Sequence, residues 1–285
     1  MHLVLSFLYR ASAKFFRIYT CSNRVCFKLR DLQSLGCHFA IPTLMAGNTV
    51  LLKHASIVAG SGQKIEELFV KAGFPEHALS NLCINSSEVA DIIADSKVQG
   101  VTLTGSEEVG RKIASTAGLY LKKVSLELGG NDACLVLADA NLKEAAKAIV
   151  SSRMRNSGQV CVATKRVIVD SQVHDELVEL IRLEMKKFIM GNPLDDACNF
   201  GPMAREDLRQ ELHQQVQTII KEGGVLVEGG FIPEGEGFYY PPTLITHVTK
   251  ESLAYEQEVF GPVIAISQFS HLDEGLELVN FTDYG

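Results

Sequence analysis

A chain of 285 residues, 46% apolar and 21% charged with 23 Gly and 8 Pro, has ordinary globular composition, which excludes collagen-like, low-complexity and disordered readings. The length suits one large domain or two smaller ones with a real hydrophobic core. A net charge of −7 argues against a uniformly basic nucleic-acid binder.

The charge is unevenly spread: residues 1–37 carry a local +5, and the other 248 residues sum to −12. No apolar run is long enough to span a bilayer, so no membrane partner is expected. Leu3–Tyr9 is short and lacks a preceding cationic region, which makes it a poor signal peptide. The Arg-rich start loosely resembles an organelle transit peptide, and the bland alternative, an unrelated or disrupted N-terminus, is favoured. The seven cysteines are odd in number and contain no Cys-x-x-Cys pair. Reduced thiols in a cytoplasm are expected, with no disulfide framework and no metal site.

From Phe39 the pattern alternates short apolar runs with amphipathic ones. Thr49–Lys53 reads as a strand and Ile57–Ala72 as a helix, with Ile65, Leu68, Phe69 and Ala72 at helical spacing. A strand at Asn81–Ile84, a helix at Ser87–Ala94, a strand at Gln99–Leu103 and a helix at Glu107–Ala117 follow. Lys122–Leu128 and Cys134–Leu137 read as strands, Asn141–Arg155 as a helix, Val167–Asp170 as a strand, and His174–Phe188 and Glu206–Glu222 as helices. Pro233–Pro242 reads as a loop. Repeated strand–helix alternation predicts an α/β fold of parallel sheets with flanking helices.

Cys161 lies in a Gly-containing turn, Asn156-Ser157-Gly158-Gln159-Val160-Cys161. Such a turn can aim a sulfur and its own backbone N–H at one point, which suits a nucleophile whose attack creates an oxyanion. A small buried hydrophobe is the commoner fate of a lone cysteine. Glu127 stands between two leucines before Gly129–Gly130. A carboxylate there is costly to bury unless paired or protonated, so it is either a general base or a strand residue facing solvent. Gly105–Ser106 joins a strand to a helix and can receive a phosphate or ribose, or Ser106 is simply an N-cap. Lys53, at a strand end, faces the ligand crevice of an open α/β sheet or else snorkels to the surface. Glu258-Val259-Phe260-Gly261-Pro262 could hold a ribose or be a plain loop.

Together these segments resemble the aldehyde dehydrogenase superfamily. The resemblance rests on LELGG (126–130), NSGQVC (156–161) and EVFGP (258–262), with PTLMAGNTVLLKHAS (42–56), GFPEHAL (73–79) and LTGS (103–106) in order. Cys161 follows Glu127 by 34 positions and Glu258 follows Cys161 by 97, as in that family. The resemblance covers about residues 39–285. It implies a cationic, non-matching segment at 1–37, a partial dinucleotide-binding domain at 38–126 and a catalytic domain at 127–285. It further implies that Cys161 attacks an aldehyde, that NAD or NADP takes the hydride, and that Glu127 activates the water that hydrolyses the thioester. Lys53 would hold the adenosine ribose, Gly105 and Ser106 the pyrophosphate side, and Glu258 with Phe260 the nicotinamide ribose.

Ser56, where NAD-specific members often carry Glu, leaves room for a 2′-phosphate and so for NADP. Arg155, six residues before Cys161, stands where succinate-semialdehyde dehydrogenases bind the substrate's distal carboxylate; a guanidinium suits this because it stays charged and binds bidentately. Phe200–Arg205 with Glu211-Leu212-His213 also resembles that group. The family is homo-oligomeric.

The resemblance fails before Phe39. The family's Pro-Trp-Asn segment, whose asparagine amide is the second oxyanion donor, has no counterpart, and the chain contains no Trp. This and the abrupt stop at 285 lead to the expectation of a chain shortened at both ends. Two functional readings result: an NAD(P)-dependent aldehyde dehydrogenase, or a non-catalytic remnant of one. A cysteine hydrolase would need a positioned histidine, and no histidine lies in a motif that supplies it.

Overall fold

The structure, a computed structural model, describes residues 2–8 and 39–284. The chain divides into two compact units, Met1–Gly129 and Gly130–Gly285. Among the described residues no helix is long and apolar enough to cross a membrane.

The first unit is built on a five-stranded sheet in the order β3-β2-β1-β4-β5. Its strands are β1 (His2–Leu8), β2 (Asn48–Lys53), β3 (Leu79–Asn81), β4 (Val98–Thr104) and β5 (Lys123–Glu127). Helix α1 (Ala59–Lys71) links β2 to β3, α2 (Val89–Ala94) precedes β4, and α3 (Glu107–Leu119) links β4 to β5. The β2–β3 and β4–β5 pairs are parallel, as a strand–helix–strand crossover requires. The central strand departs from the all-parallel expectation: β1 runs antiparallel to both neighbours, with Leu3 opposite Lys53 and Leu103. An antiparallel pair needs no crossover helix, so an apolar run too short to classify from sequence can occupy this slot.

Two apolar clusters fill this unit. Val50, Leu52 and Leu79 pack with Ile65 of α1, and Val98, Val101 and Leu103 pack with Val89, Ile93, Ile113 and Ala117. Leu68, expected on the buried stripe of α1, is exposed. The strand expected at Asn81–Ile84 lies instead at Leu79–Asn81, sharing only Asn81 with the expectation, because its partner residues are Val50–Leu52 and β2 ends at Lys53; the Leu82 N–H still donates to the Leu52 carbonyl at 2.8 Å.

The second unit carries the order β6-β7-β10-β9-β8. The strands are β6 (Ala133–Val136), β7 (Arg166–Asp170), β8 (Val225–Glu228), β9 (Thr243–Thr246) and β10 (Val263–Phe269). All pairs are parallel except the antiparallel edge pair β8–β9. The helices are α4 (Leu142–Met154), α5 (His174–Met185), α6 (Glu206–Lys221), α7 (Leu253–Glu256) and α8 (Leu272–Asn280). Asn141 caps α4 by accepting from the Glu144 N–H at 3.3 Å.

Strand alternation divides this core into two faces. Val167, Val169, Leu244, Ile264 and Ile266 meet Ile149, Val150 and Met154 of α4 and Leu177 and Ile181 of α5. Ile168, Ile245, Val263 and Ala265 point the other way, onto Leu212, Val216 and Ile219 of α6 and Tyr255 of α7. Such a two-faced parallel sheet leaves its strand-to-helix loops at the sheet ends, where the motif segments lie.

Candidate active site

The Cys161 loop is held in an unusual backbone conformation. After α4 the chain enters the left-handed region for three successive residues: Asn156 (φ 50°), Ser157 (φ 54°) and Gly158 (φ 75°). The first two are non-glycine, at about 1–2 kcal/mol each, a strain that persists only where the surroundings fix it. The surroundings do so here. Ser157 Oγ donates to the Gly201 carbonyl at 2.7 Å, and Gln159 Oε1 accepts from the Ala204 N–H at 2.9 Å. The Phe200–Arg205 run is thus a support for the Cys161 loop. Gly158 abuts the backbone of Gly261 and Pro262, so a methyl group there would collide with main-chain atoms.

Two buried cations tie the loops together. Arg153 is fully buried at the end of α4. Its Nε donates to the Val263 carbonyl at 2.7 Å, Nη1 to Gly158 O at 3.5 Å, and Nη2 to the Val259 carbonyl. Burial pushes its pKa down to about 9, against the opposing field of Glu258, so it remains a cation at neutral pH. Lys165 has a side chain that is 1% exposed. Its ammonium donates to the carbonyls of Cys161, Val160 (3.5 Å) and Ala163 (3.3 Å). It lies 3.1 Å from Glu258 Oε1, an ion pair without hydrogen-bond geometry, and 3.7 Å from Asp132 Oδ2. Lys165 therefore joins Cys161 and Glu258, two residues singled out by sequence, through a side chain that was not.

Sequence reasoning missed Arg153 and Lys165, yet a signal existed for the first. Arg153 falls at i+4 from Ile149 and i+3 from Val150, on the apolar stripe of α4, where an unpaired cation is too costly to bury. Arg166 was missed too. It is buried, donates to the carbonyls of Asn131 (2.9 Å) and Leu278 (2.8 Å), and lies over the Tyr255 ring.

The other expected site residues fall as follows. Cys161 is half-buried and unpaired, with Val162 beside it exposed. Phe260 is half-buried and Arg155 exposed. In the first unit, Lys53 is buried at the end of β2; burial lowers its pKa, and Nζ donates to the His54 carbonyl at 2.8 Å. Ser56 is exposed at the start of a short 3-10 turn. Ser106 has the extended backbone of an N-cap but makes no side-chain cap bond to α3, so its hydroxyl is uncommitted to the helix. The Gly105 N–H donates to the Glu127 carbonyl at 3.0 Å, fixing the Gly105 turn against the end of β5. The Glu127 side chain is exposed, because strand alternation turns Leu126 inward and Glu127 outward.

Residues 34–285 match the aldehyde dehydrogenase family. A succinate semialdehyde dehydrogenase [NAD(P)+] of Escherichia coli is 43% identical over 86% of this chain and 53% of its own length. An aldehyde dehydrogenase of Paenarthrobacter nicotinovorans is 42% identical over 87% of this chain and 54% of its own. Among solved structures, succinic semialdehyde dehydrogenase of Streptococcus pyogenes in complex with NADP+ superposes with a TM-score of 0.79 at 39% identity, covering 82% of this chain and 52% of that one. The chain spans about half the length of the curated relatives it matches. With the family match extending over most of its residues, the chain belongs to the aldehyde dehydrogenase family.

Proposed function

We propose that this chain carries the cysteine chemistry of an NAD(P)-dependent aldehyde dehydrogenase whose substrate is succinate semialdehyde. The observation that carries the reading is the strained Cys161 loop, locked to the Glu258 segment by Arg153 and Lys165. A loop so over-determined presents one thiol in one orientation, as nucleophilic catalysis needs.

The residues present suit a dinucleotide. Lys53 spends one N–H on His54 and has others to offer a ribose. Ser106 is not consumed by capping. Glu258 has one oxygen ion-paired to Lys165 and a second oxygen to accept from a ribose hydroxyl. Ser56 brings no carboxylate against a 2′-phosphate, so both NAD and NADP are accepted. When bound, the nicotinamide supplies the hydride acceptor. The chain's own part is covalent: the Cys161 thiolate adds to the aldehyde carbon, and the acyl thioester left after oxidation is hydrolysed by water that Glu127 deprotonates. Arg155, exposed at the C-terminal end of α4, receives the distal carboxylate of the substrate. The names of the two succinate-semialdehyde relatives support that choice of aldehyde.

The test is reduction of NADP+ or NAD+ by the purified chain with succinate semialdehyde, beside its Cys161→Ala variant. Turnover that disappears in the variant supports the reading. An iodoacetamide map in which Cys161 reacts no faster than Cys134, whose thiol burial pushes up, overturns it.

A further inference from the structure

A second thiol, in the first unit, is built into a nucleophile–base arrangement that the proposed dehydrogenase chemistry does not use. Cys83 is exposed just beyond β3, and its Sγ lies 3.8 Å from His54 Nε2. His54 follows Lys53 at the end of β2 and is 5% exposed. Its Nδ1 lies 2.8 Å from the Ala55 carbonyl. A carbonyl can only accept, so Nδ1 carries the proton and Nε2 faces Cys83 with its lone pair. Asn81, at the end of β3, donates its side-chain N–H to Cys83 Sγ at 3.6 Å, while its Oδ1 is buried without a partner. The amide is thus placed for its donor end. The sulfur has a base on one side and a donor on the other.

The surrounding fold is shaped to hold this arrangement. Parallel pairing sets Leu52 opposite Asn81, which brings the residues after β2 beside those after β3. Gly62 of α1 leaves the space for the ring: a Cβ there would come within 2.6 Å of both His54 Cδ2 and Asn81 Oδ1.

We propose that Cys83 is a thiol-modification site that takes low-molecular-weight disulfides, with His54 as its base and Asn81 steadying the developing thiolate. The Cys83 proton passes to His54 Nε2 as Sγ attacks one sulfur of the disulfide. The disulfide bond breaks, a mixed disulfide forms on Cys83, and the departing thiolate takes the proton from His54. The disulfide is the oxidant, and one thiol is released for each thiol consumed. The assignment is independent of whether Cys161 turns over an aldehyde.

The experiment is reaction with 5,5′-dithiobis(2-nitrobenzoic acid) in the Cys161→Ala background, each cysteine followed by peptide mass mapping. Cys83 should be modified about tenfold faster than Cys198, and His54→Asn should remove most of that advantage. Asn81→Ala should slow Cys83 by a smaller factor. Far-UV circular dichroism and the unchanged sluggishness of Cys134 identify a variant that has lost its fold, for which Asn81→Ala is the second arm. A Cys83 rate equal to that of Cys198, or one unmoved by either substitution in a folded protein, overturns the proposal.

Discussion

At the scale of single residues, the buried cations matter as much as the residues that motif reading picks out. Lys165→Met removes the ion-pair partner of the buried Glu258 Oε1 and releases the Cys161, Val160 and Ala163 carbonyls. Breaking a buried pair in this way costs about 3–5 kcal/mol, and urea unfolding followed by circular dichroism should show a loss of that size. Arg155 has the opposite character. It is exposed, so Arg155→Ala should leave stability nearly unchanged. If it binds the distal carboxylate, the KM for succinate semialdehyde should rise by about one to two decades and that for a neutral aldehyde far less, since a charge-assisted bond is worth roughly 1.5–3 kcal/mol. Equal changes for both aldehydes would remove Arg155 from substrate selection. Cys161, Glu127 and Glu258 could be singled out from sequence because they sit in ordered motifs at fixed spacings. Lys165 could not, because nothing local distinguishes a lysine that will close over three carbonyls from one that will face water.

At the scale of elements, the helices α1–α6 and the strands β2–β7 followed from the sequence pattern, while β1, the late strands β8, β9 and β10 and the helices α7 and α8 did not. Val263–Phe269 is buried on both faces and shows no alternation, and Thr243–Thr246 is only four residues long and leaves a Pro-rich loop. A run without alternation gives no strand signal, and its identity comes from the neighbours it pairs with. The Cys161 loop shows the same dependence. Its left-handed backbone is imposed by contacts to Gly201, Ala204 and Gly261, all distant in sequence. Gly158→Ala should therefore destabilise the protein by about 2 kcal/mol or more, since overpacking against rigid backbone adds to an unfavourable φ. Thermal unfolding measures it; a melting temperature equal to the parent's would mean that the two loops can separate freely.

At the scale of the whole molecule, residues 130–285 hold both faces of their own sheet in two apolar clusters. Expressed alone, this stretch should fold with a single cooperative transition, and a non-cooperative melt would show that its core is incomplete. The first unit stands differently, because the middle of its sheet is supplied by β1, which is far in sequence from both strands it pairs with. Parallel α/β architecture was legible from the strand–helix alternation; the reversed direction of β1 was not, since direction is decided by partners and a seven-residue strand with five apolar residues does not announce its own. Those partners, β2 and β4, lie roughly fifty and a hundred residues downstream, and pairing over such separations is slow compared with the local β2–β3 and β4–β5 units. Strand β1 is thus the last of the three to be seated. Until it arrives, β2 and β4 present two unpaired edges to each other across a gap one strand wide. A gap of that kind is filled as well by the β1 strand of a neighbouring chain as by its own, so crowded, partly folded chains of this protein are prone to exchange that strand before each has completed its own sheet.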